Sequence, residues 1–222
     1  MKIILAFSGG LDTSFSVVYL KKQGYEVVTI TVNTGGFSEQ QLEDTKKKAV
    51  SLGASKHYNI PCEKEFFDKI IAKIIQGNVL YEGKYPLLCA DRYIIAEKIV
   101  EIAKKEKAHA VAHGSTAMGN DQVRFDSAFT SLAPELKIIS PIKETGFSRE
   151  KEIFYLSENG YNTPSASKKY SINENVMGVT TSGSEIDEYG EPKLEAYTLI
   201  NQKPEIKTEY ITMYFEKGIP KN

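Results

Sequence analysis

The feature that most constrains this chain is an apolar run broken by a glycine pair: Lys2-Ile3-Ile4-Leu5-Ala6-Phe7 leads directly into Ser8-Gly9-Gly10-Leu11-Asp12-Thr13-Ser14. A helical pattern follows, so the order is that of a strand delivering a loop to a helix N-terminus. The first amides of a helix have no carbonyl within it to donate to and attract an anion. Gly9 and Gly10 permit a tight turn and close backbone approach, while Ser8, Asp12, Thr13 and Ser14 add hydroxyls and a carboxylate. The loop has no Gly-Lys-Ser/Thr ending, so no lysine grips the outer phosphates, and its glycines lack the dinucleotide spacing. What remains suits a pyrophosphate held by amides and hydroxyls, as in ATP cleaved between its α- and β-phosphates. The plain alternative is a glycine turn joining a strand to a helix.

Downstream, strand and helix patterns alternate. A helix is expected over Asp12 to Lys22 with Leu11, Phe15 and Val18 on one face, and then a β-branched strand from Glu26 to Val32. Ser38 and Gln41 form a capping box for a helix to Leu52, followed by a short strand near His57 to Ile60. Helices over Glu63 to Gln76 and Asp91 to Glu106, a strand over Ala108 to His113, a helix over Asp121 to Leu132, a strand over Leu136 to Ile139 and a helix capped by Ser148 complete the series. This alternation predicts an α/β fold, a doubly wound parallel five-stranded sheet of order 3-2-1-4-5. Strands one and four then lie side by side, and the loops leaving their carboxyl ends share one crevice. From about Asn162 the composition turns to Ser, Thr, Asn, Gly and Tyr, which divides the chain into 1–161 and a second unit over 162–222. In that second unit only Thr208 to Phe215 alternates as a strand should.

The loop after the fourth strand, His113-Gly114-Ser115-Thr116-Ala117-Met118-Gly119-Asn120-Asp121-Gln122-Val123-Arg124-Phe125-Asp126, carries a density of polar groups that a core would not tolerate unpaired. Asn120 and Asp121 can hold an α-amino group and Thr116 a carboxylate. Arg124, one helical turn beyond Asn120, can reach a second carboxylate on the same side. A solvated loop with an Asn-Asp helix cap is the bland reading.

The chain's 28 Lys+Arg against 29 Asp+Glu give no electrostatic reason to expect nucleic acid or an anionic membrane as partner. The clusters Lys46-Lys47-Lys48 and Lys104-Lys105-Glu106-Lys107 read as solvated helix faces. Cys62 and Cys89 are too far apart for a zinc motif or a disulfide framework, so reduced thiols in a cytoplasmic protein are expected. No export signal or membrane-spanning apolar run stands out, and no metal-ligand cluster.

The loop Ser8-Gly9-Gly10-Leu11-Asp12-Thr13-Ser14 resembles the pyrophosphate loop of the N-type ATP pyrophosphatases, and its Asp-Thr-Ser ending resembles the argininosuccinate synthase family. Three further segments agree in order. His113-Gly114-Ser115-Thr116 with Gly119-Asn120-Asp121-Gln122-Val123-Arg124-Phe125 resembles that family's aspartate- and citrulline-binding segment. Gly77-Asn78-Val79-Leu80-Tyr81-Glu82-Gly83-Lys84-Tyr85-Pro86-Leu87 resembles the segment of its citrulline-contacting tyrosine, and Tyr170-Ser171-Ile172-Asn173-Glu174-Asn175 its serines around citrulline. The resemblance implies a HUP, adenine nucleotide alpha hydrolase-like domain followed by the start of a synthetase domain. It implies that Ala6, Phe7, Ser8, Gly9, Gly10, Leu11, Asp12, Thr13, Ser14, Val32 and Gly114 bind ATP, with Mg2+. It also implies that Thr116, Asn120 and Asp121 bind aspartate, that Tyr85, Asn120, Arg124, Ser171 and Thr180 bind citrulline, and that Asp12, Asp121 and Arg124 act in catalysis. The chemistry so implied is attack of a ureido oxygen on the α-phosphorus of ATP, loss of pyrophosphate, and displacement of AMP by aspartate, within arginine biosynthesis.

The sequence departs from the family pattern in three places. Leu88-Cys89-Ala90-Asp91-Arg92-Tyr93 stands where a Gly-Thr-Ser-Leu-Ala-Arg run is usual, so Cys89 and Ala90 replace hydroxyls expected at citrulline. Val32-Asn33-Thr34-Gly35-Gly36-Phe37 is more similar to the subgroup that uses N-acylated citrullines. The family also continues well past a Phe-Glu-Lys-Gly strand. Three readings follow: a carbon–nitrogen ligase acting alone, as a homo-oligomer or with a partner chain; a nucleotide-binding regulatory module without turnover; or another adenylating enzyme of the same loop class.

Overall fold

The computed structural model describes residues 1–116, 119–161, 170–183, 190–199 and 208–221. Its regular elements in chain order are β1 (Lys2–Ala6), α1 (Leu11–Lys22), β2 (Glu26–Asn33), α2 (Glu39–Ser51), β3 (Lys56–Pro61), α3 (Glu63–Phe66), a π-turn (Phe67–Ile71) and α4 (Ala72–Gln76). There follow α5 (Asp91–Lys105), β4 (Ala110–Ala112), α6 (Asn120–Leu132), β5 (Lys137–Ile139), α7 (Pro141–Thr145), α8 (Arg149–Glu158) and the hairpin strands β6 (Ser171–Asn175), β7 (Gly178–Ser182), β8 (Tyr214–Glu216) and β9 (Ile219–Lys221). Two compact units divide the chain, Met1–Cys62 with Cys89–Ala166 and Glu63–Leu88 with Ser167–Asn222.

The first unit is a five-stranded sheet of order β3-β2-β1-β4-β5, every pair parallel, as the alternating pattern predicts. Ile3, Ile4 and Leu5 are wholly buried, which explains why β1 reads as an unbroken apolar run rather than an alternating one. In register, Ile3 pairs with Val27 on one side and with Ala110 on the other, so β1 and β4 end side by side. The chain runs outward through β2 and β3, then crosses back to β4, which places the switch point of the sheet between β1 and β4.

Phe15 on α1 anchors the core on one face, packing against Tyr19, against Phe147 at 5.5 Å, and edge-on against Tyr155 of α8 at 5.2 Å between ring centroids. Burying an aromatic side chain of this kind contributes about 1.5–3 kcal/mol. The capping box of α2 is present in full, with the Ser38 side chain accepting from the Gln41 amide and the Gln41 side chain from the Ser38 amide. At the amino-terminal edge of the sheet, Glu106 draws Lys2, Lys56 and the Tyr58 hydroxyl together.

In the second unit, β6 and β7 pair antiparallel with Asn173 opposite Thr180. Asn175 donates to the Leu88 carbonyl at 2.9 Å and accepts from the Met177 amide, which fixes the hairpin turn. The strand expected over Thr208 to Phe215 is shorter, since only Tyr214–Glu216 pairs, with Ile219–Lys221. Lys217 and Gly218 both have positive φ, the geometry of a two-residue hairpin turn, so pairing begins at the turn. Residues 208–213 alternate without forming a strand, and Tyr210 and Ile211 lie almost fully exposed. Alternation alone supplies no neighbour to pair with.

Candidate active site

Two loops meet at the carboxyl ends of β1 and β4. In the first, Phe7 is buried and its backbone is tied to β2 on both sides: its amide donates to the Ile30 carbonyl and its carbonyl accepts from the Thr31 hydroxyl at 2.6 Å. Gly9 has φ +76, a conformation that side chains rarely adopt, and its carbonyl accepts from Lys48 Nζ at 2.6 Å. Gly10 is the N-cap of α1 and offers no side chain, so the amides of Leu11, Asp12 and Thr13 precede the first helical bond, Ser14 N–H to Gly10 O. Ser8 is exposed, and its hydroxyl lies 3.4 Å from that of Thr13. The Ser14 side chain instead turns inward, fully buried, donating to the Gly10 carbonyl at 2.6 Å. Ala6 ends β1 immediately before the loop, and Val32 lies near the end of β2, the strand paired with β1.

The second loop touches the first at one glycine. A β-carbon at Gly114 would stand 2.9 Å from the Thr13 methyl and 3.3 Å from the Thr13 amide nitrogen. Only a residue without a side chain lets the loop after β4 lie against the start of α1, the close approach a shared ligand site requires.

His113 holds the second loop in place. Its Nδ1 accepts from the Ser115 amide at 3.2 Å, so Nε2 carries the proton and donates to Asp126 at 2.9 Å. The ring is buried and stacks on Phe125 at 5.5 Å, and burial lowers its pKa despite the Asp126 partner, which keeps the imidazole neutral. On α6, Asp121 sits between two arginines: Oδ2 accepts from Arg92 Nε at 3.1 Å and Oδ1 from Arg124 Nη1 at 2.8 Å. Arg92 also bridges to Asp91 at 2.7 Å. Burial lowers the Arg92 pKa and the Asp91 and Asp121 carboxylates outweigh it, so the guanidinium is held charged. Thr116 and Asn120 are exposed at the mouth, and the Ala117 and Met118 positions of the loop lie outside the described residues.

A family model described as the arginosuccinate synthase N-terminal HUP domain matches residues 2–162 of this chain. The chain belongs to the argininosuccinate synthase family. Its relatives include an argininosuccinate synthase of Hyperthermus butylicus, 46% identical over 99% of this chain and 56% of its own length. That of Pyrococcus furiosus is 42% identical over 99% of this chain and 54% of its own length, and that of Bacillus cytotoxicus is 40% identical over 99% and 55%. The chain thus spans about half the length of the curated relatives it matches. Among solved structures, a predicted subunit of a tRNA methyltransferase from Methanocaldococcus jannaschii covers 81% of this chain and 98% of its own with a TM-score of 0.46 and 20% identity, too weak a likeness to argue from.

The remaining residues that resemble argininosuccinate synthase positions lie in the second unit. Tyr85 closes a turn in which its carbonyl accepts from the Tyr81 amide at 2.7 Å, and its ring is exposed. Ser171 and Thr180 share one face of the β6–β7 hairpin, since Thr180 opposes Asn173, two residues along the strand from Ser171.

Sequence reasoning missed three side chains that shape the candidate site. Lys48, read as part of a solvated face, reaches the Gly9 carbonyl of the first loop, and only the packing of α2 shows it. Arg92 pairs with a residue 29 positions away, which local spacing cannot reveal. Glu152 had a signal in the sequence: it lies four residues before Leu156, in the stripe that faces the core, where a carboxylate is out of place.

Proposed function

We propose that the chain binds ATP on Ser8 to Ser14 and Gly114, and aspartate through Thr116, Asn120 and Asp121, as part of an ATP-dependent carbon–nitrogen ligase. The observation that carries this reading is the close approach of Gly114 to Thr13, which joins the two loops at one crevice. The amides at the start of α1 suit phosphate oxygens, and the dipole of the helix favours their charge. Mg2+ enters with the nucleotide's phosphates.

In this reading Asp121 takes the substrate amine while Arg92 and Arg124 hold its carboxylate at a fixed angle, and Arg124 turns toward a substrate carboxylate. Citrulline or an N-acylated ureido compound supplies the oxygen that attacks the α-phosphorus, with Tyr85, Ser171 and Thr180 on its side. The unit of Met1–Cys62 with Cys89–Ala166 is the nucleotide-binding part, and Glu63–Leu88, which the sequence division at 161 had placed with it, belongs with the substrate part. Positioning and charge neutralisation, rather than a strong acid or base, lower the barrier. No described helix is long and apolar enough to cross a membrane, and the balanced charge agrees with small-molecule substrates.

A second reading, nucleotide binding without independent turnover, is favoured by one feature: Cys89 and Ala90 stand where hydroxyls are expected at citrulline. Steady-state release of AMP and pyrophosphate by the purified chain with ATP, aspartate and citrulline separates the two. Turnover in the ordinary enzyme range of about 1–10³ per second supports a ligase acting alone, and ATP binding with turnover lower by orders of magnitude supports the second.

A further inference from the structure

Glu152 is 2% exposed, and its Oε2 has no hydrogen-bond partner among the described residues. It lies on α8 where that helix packs against α1, in a register set by Phe15 against Tyr155. Moving three residues back on each helix, one turn from that aromatic contact, leads to Asp12 on α1 and Glu152 on α8. The two carboxyls face each other, and Asp12 belongs to the pyrophosphate loop itself. Among the described residues, the titratable groups acting on Glu152 are Asp12 from α1 and Arg149 on its own helix, with Tyr19 of α1 acting in turn on Tyr155 of α8. Among the described residues, Arg149 alone brings positive charge toward Glu152, and it is exposed.

We propose that Glu152 is a positioning residue that keeps a proton against Asp12, so that the pyrophosphate loop presents one acidic charge rather than two to the incoming phosphates. The geometry favours the protonated form. An ionised carboxylate with a buried oxygen lacking any donor is costly, whereas in a neutral carboxyl that oxygen is a carbonyl and the hydroxyl donates to Asp12. Burial first, and then the Asp12 charge, raise the Glu152 pKa to about 8, which places its ionisation within reach of ordinary buffers. When Glu152 ionises, a second negative charge appears behind the amides that hold the triphosphate, and the nucleotide is repelled. Proton and nucleotide therefore bind with positive coupling. The inference rests on the reading of Ser8 to Ser14 as the ATP loop.

Calorimetric titration of Mg-ATP into the full chain between about pH 7 and pH 9.5 tests it. Wild-type affinity is expected to fall about five- to tenfold across that range, an ordinary size for linkage between two sites. Glu152→Gln, which mimics the neutral carboxyl, is expected to keep the affinity seen at pH 7 and to lose the slope. Infrared spectra of the wild-type chain with carbon-13-labelled glutamate provide a second measurement that needs no variant, and they should show a protonated glutamate carboxyl at pH 7. A flat wild-type profile, a slope that survives in Glu152→Gln, or the absence of that signal would overturn the inference alone. Failure of ATP to bind at any pH would overturn the nucleotide reading, and this linkage with it.

Discussion

Gly114 lies so close to Thr13 that a single added methyl would stand 2.9 Å from the threonine methyl. The backbone amide of Thr13 is almost as near, so the obstruction is not merely the end of a flexible side chain. Gly114→Ala should push the loop after β4 away from the start of α1, costing about 1–3 kcal/mol of stability. ATP affinity should fall by at least tenfold. Thermal unfolding and nucleotide titration on the same preparation check both effects, and an alanine variant of unchanged stability would mean the loops are not in contact.

Arg92 should matter to the second loop and not to the first. It reaches Asp121 through Nε and Asp91 through Nη1, a spread that a lysine ammonium cannot reproduce. Arg92→Lys is expected to lose about 1–3 kcal/mol in denaturant unfolding while ATP affinity stays within about twofold. A large loss of ATP binding with no loss of stability would contradict the separation of roles.

The neutral, buried His113 makes an acid-sensitive element of the second loop. Its pKa is lowered in the folded chain, so its stabilisation is fully present above the unfolded value of about 6.5 and is lost as pH falls below that value toward the folded one. The slope can reach about 1.4 kcal/mol per pH unit, one proton's worth. His113→Gln, whose side chain keeps one donor and one acceptor, should flatten the stability profile below pH 6.5. The profile is measured by urea unfolding at several pH values, and an unchanged slope in the variant would assign it to other groups.

Glu106 predicts an effect in a lower window. Hydrogen bonds from Lys2, Lys56 and Tyr58 lower its pKa to about 2, so its stabilisation is present above about pH 4.5 and is lost as pH falls toward 2. Glu106→Gln should cost roughly 1.5–3 kcal/mol at neutral pH, the range for hydrogen bonds to a charged group, and should leave ATP binding intact because Glu106 sits at the opposite end of the strands.

The sheet was legible because parallel strands advertise themselves. Lys2 to Ala6 reads as one apolar run because both its faces are buried, and Ser38 with Gln41 announces a helix start by chemistry that involves only neighbours. The hairpin Ser171–Ser182 carried no such signal, since most of its side chains are exposed and its pairing depends on a turn held by Asn175. At the candidate site, the glycines and the polar residues of both loops stood out in the sequence. Lys48 and Arg92 did not, because each acts across a tertiary contact with a partner far away along the chain, and Glu152 showed only as a carboxylate out of place in a core-facing stripe. The role of Ser14 differs as well, since its hydroxyl is buried and donates back to the Gly10 carbonyl one turn earlier instead of lining the surface.

In the proposed function, Ser8 to Ser14 holds the phosphates of ATP through backbone amides that Gly10 leaves uncovered. Titration of Mg-ATP into the purified chain, beside Gly10→Val, tests it most directly. Saturable one-to-one binding by the wild type is expected, with an affinity weaker by about 1–3 kcal/mol in the variant, from blocked backbone access and lost hydrogen bonds. Equal affinity in both proteins, or no binding by the wild type, would contradict it.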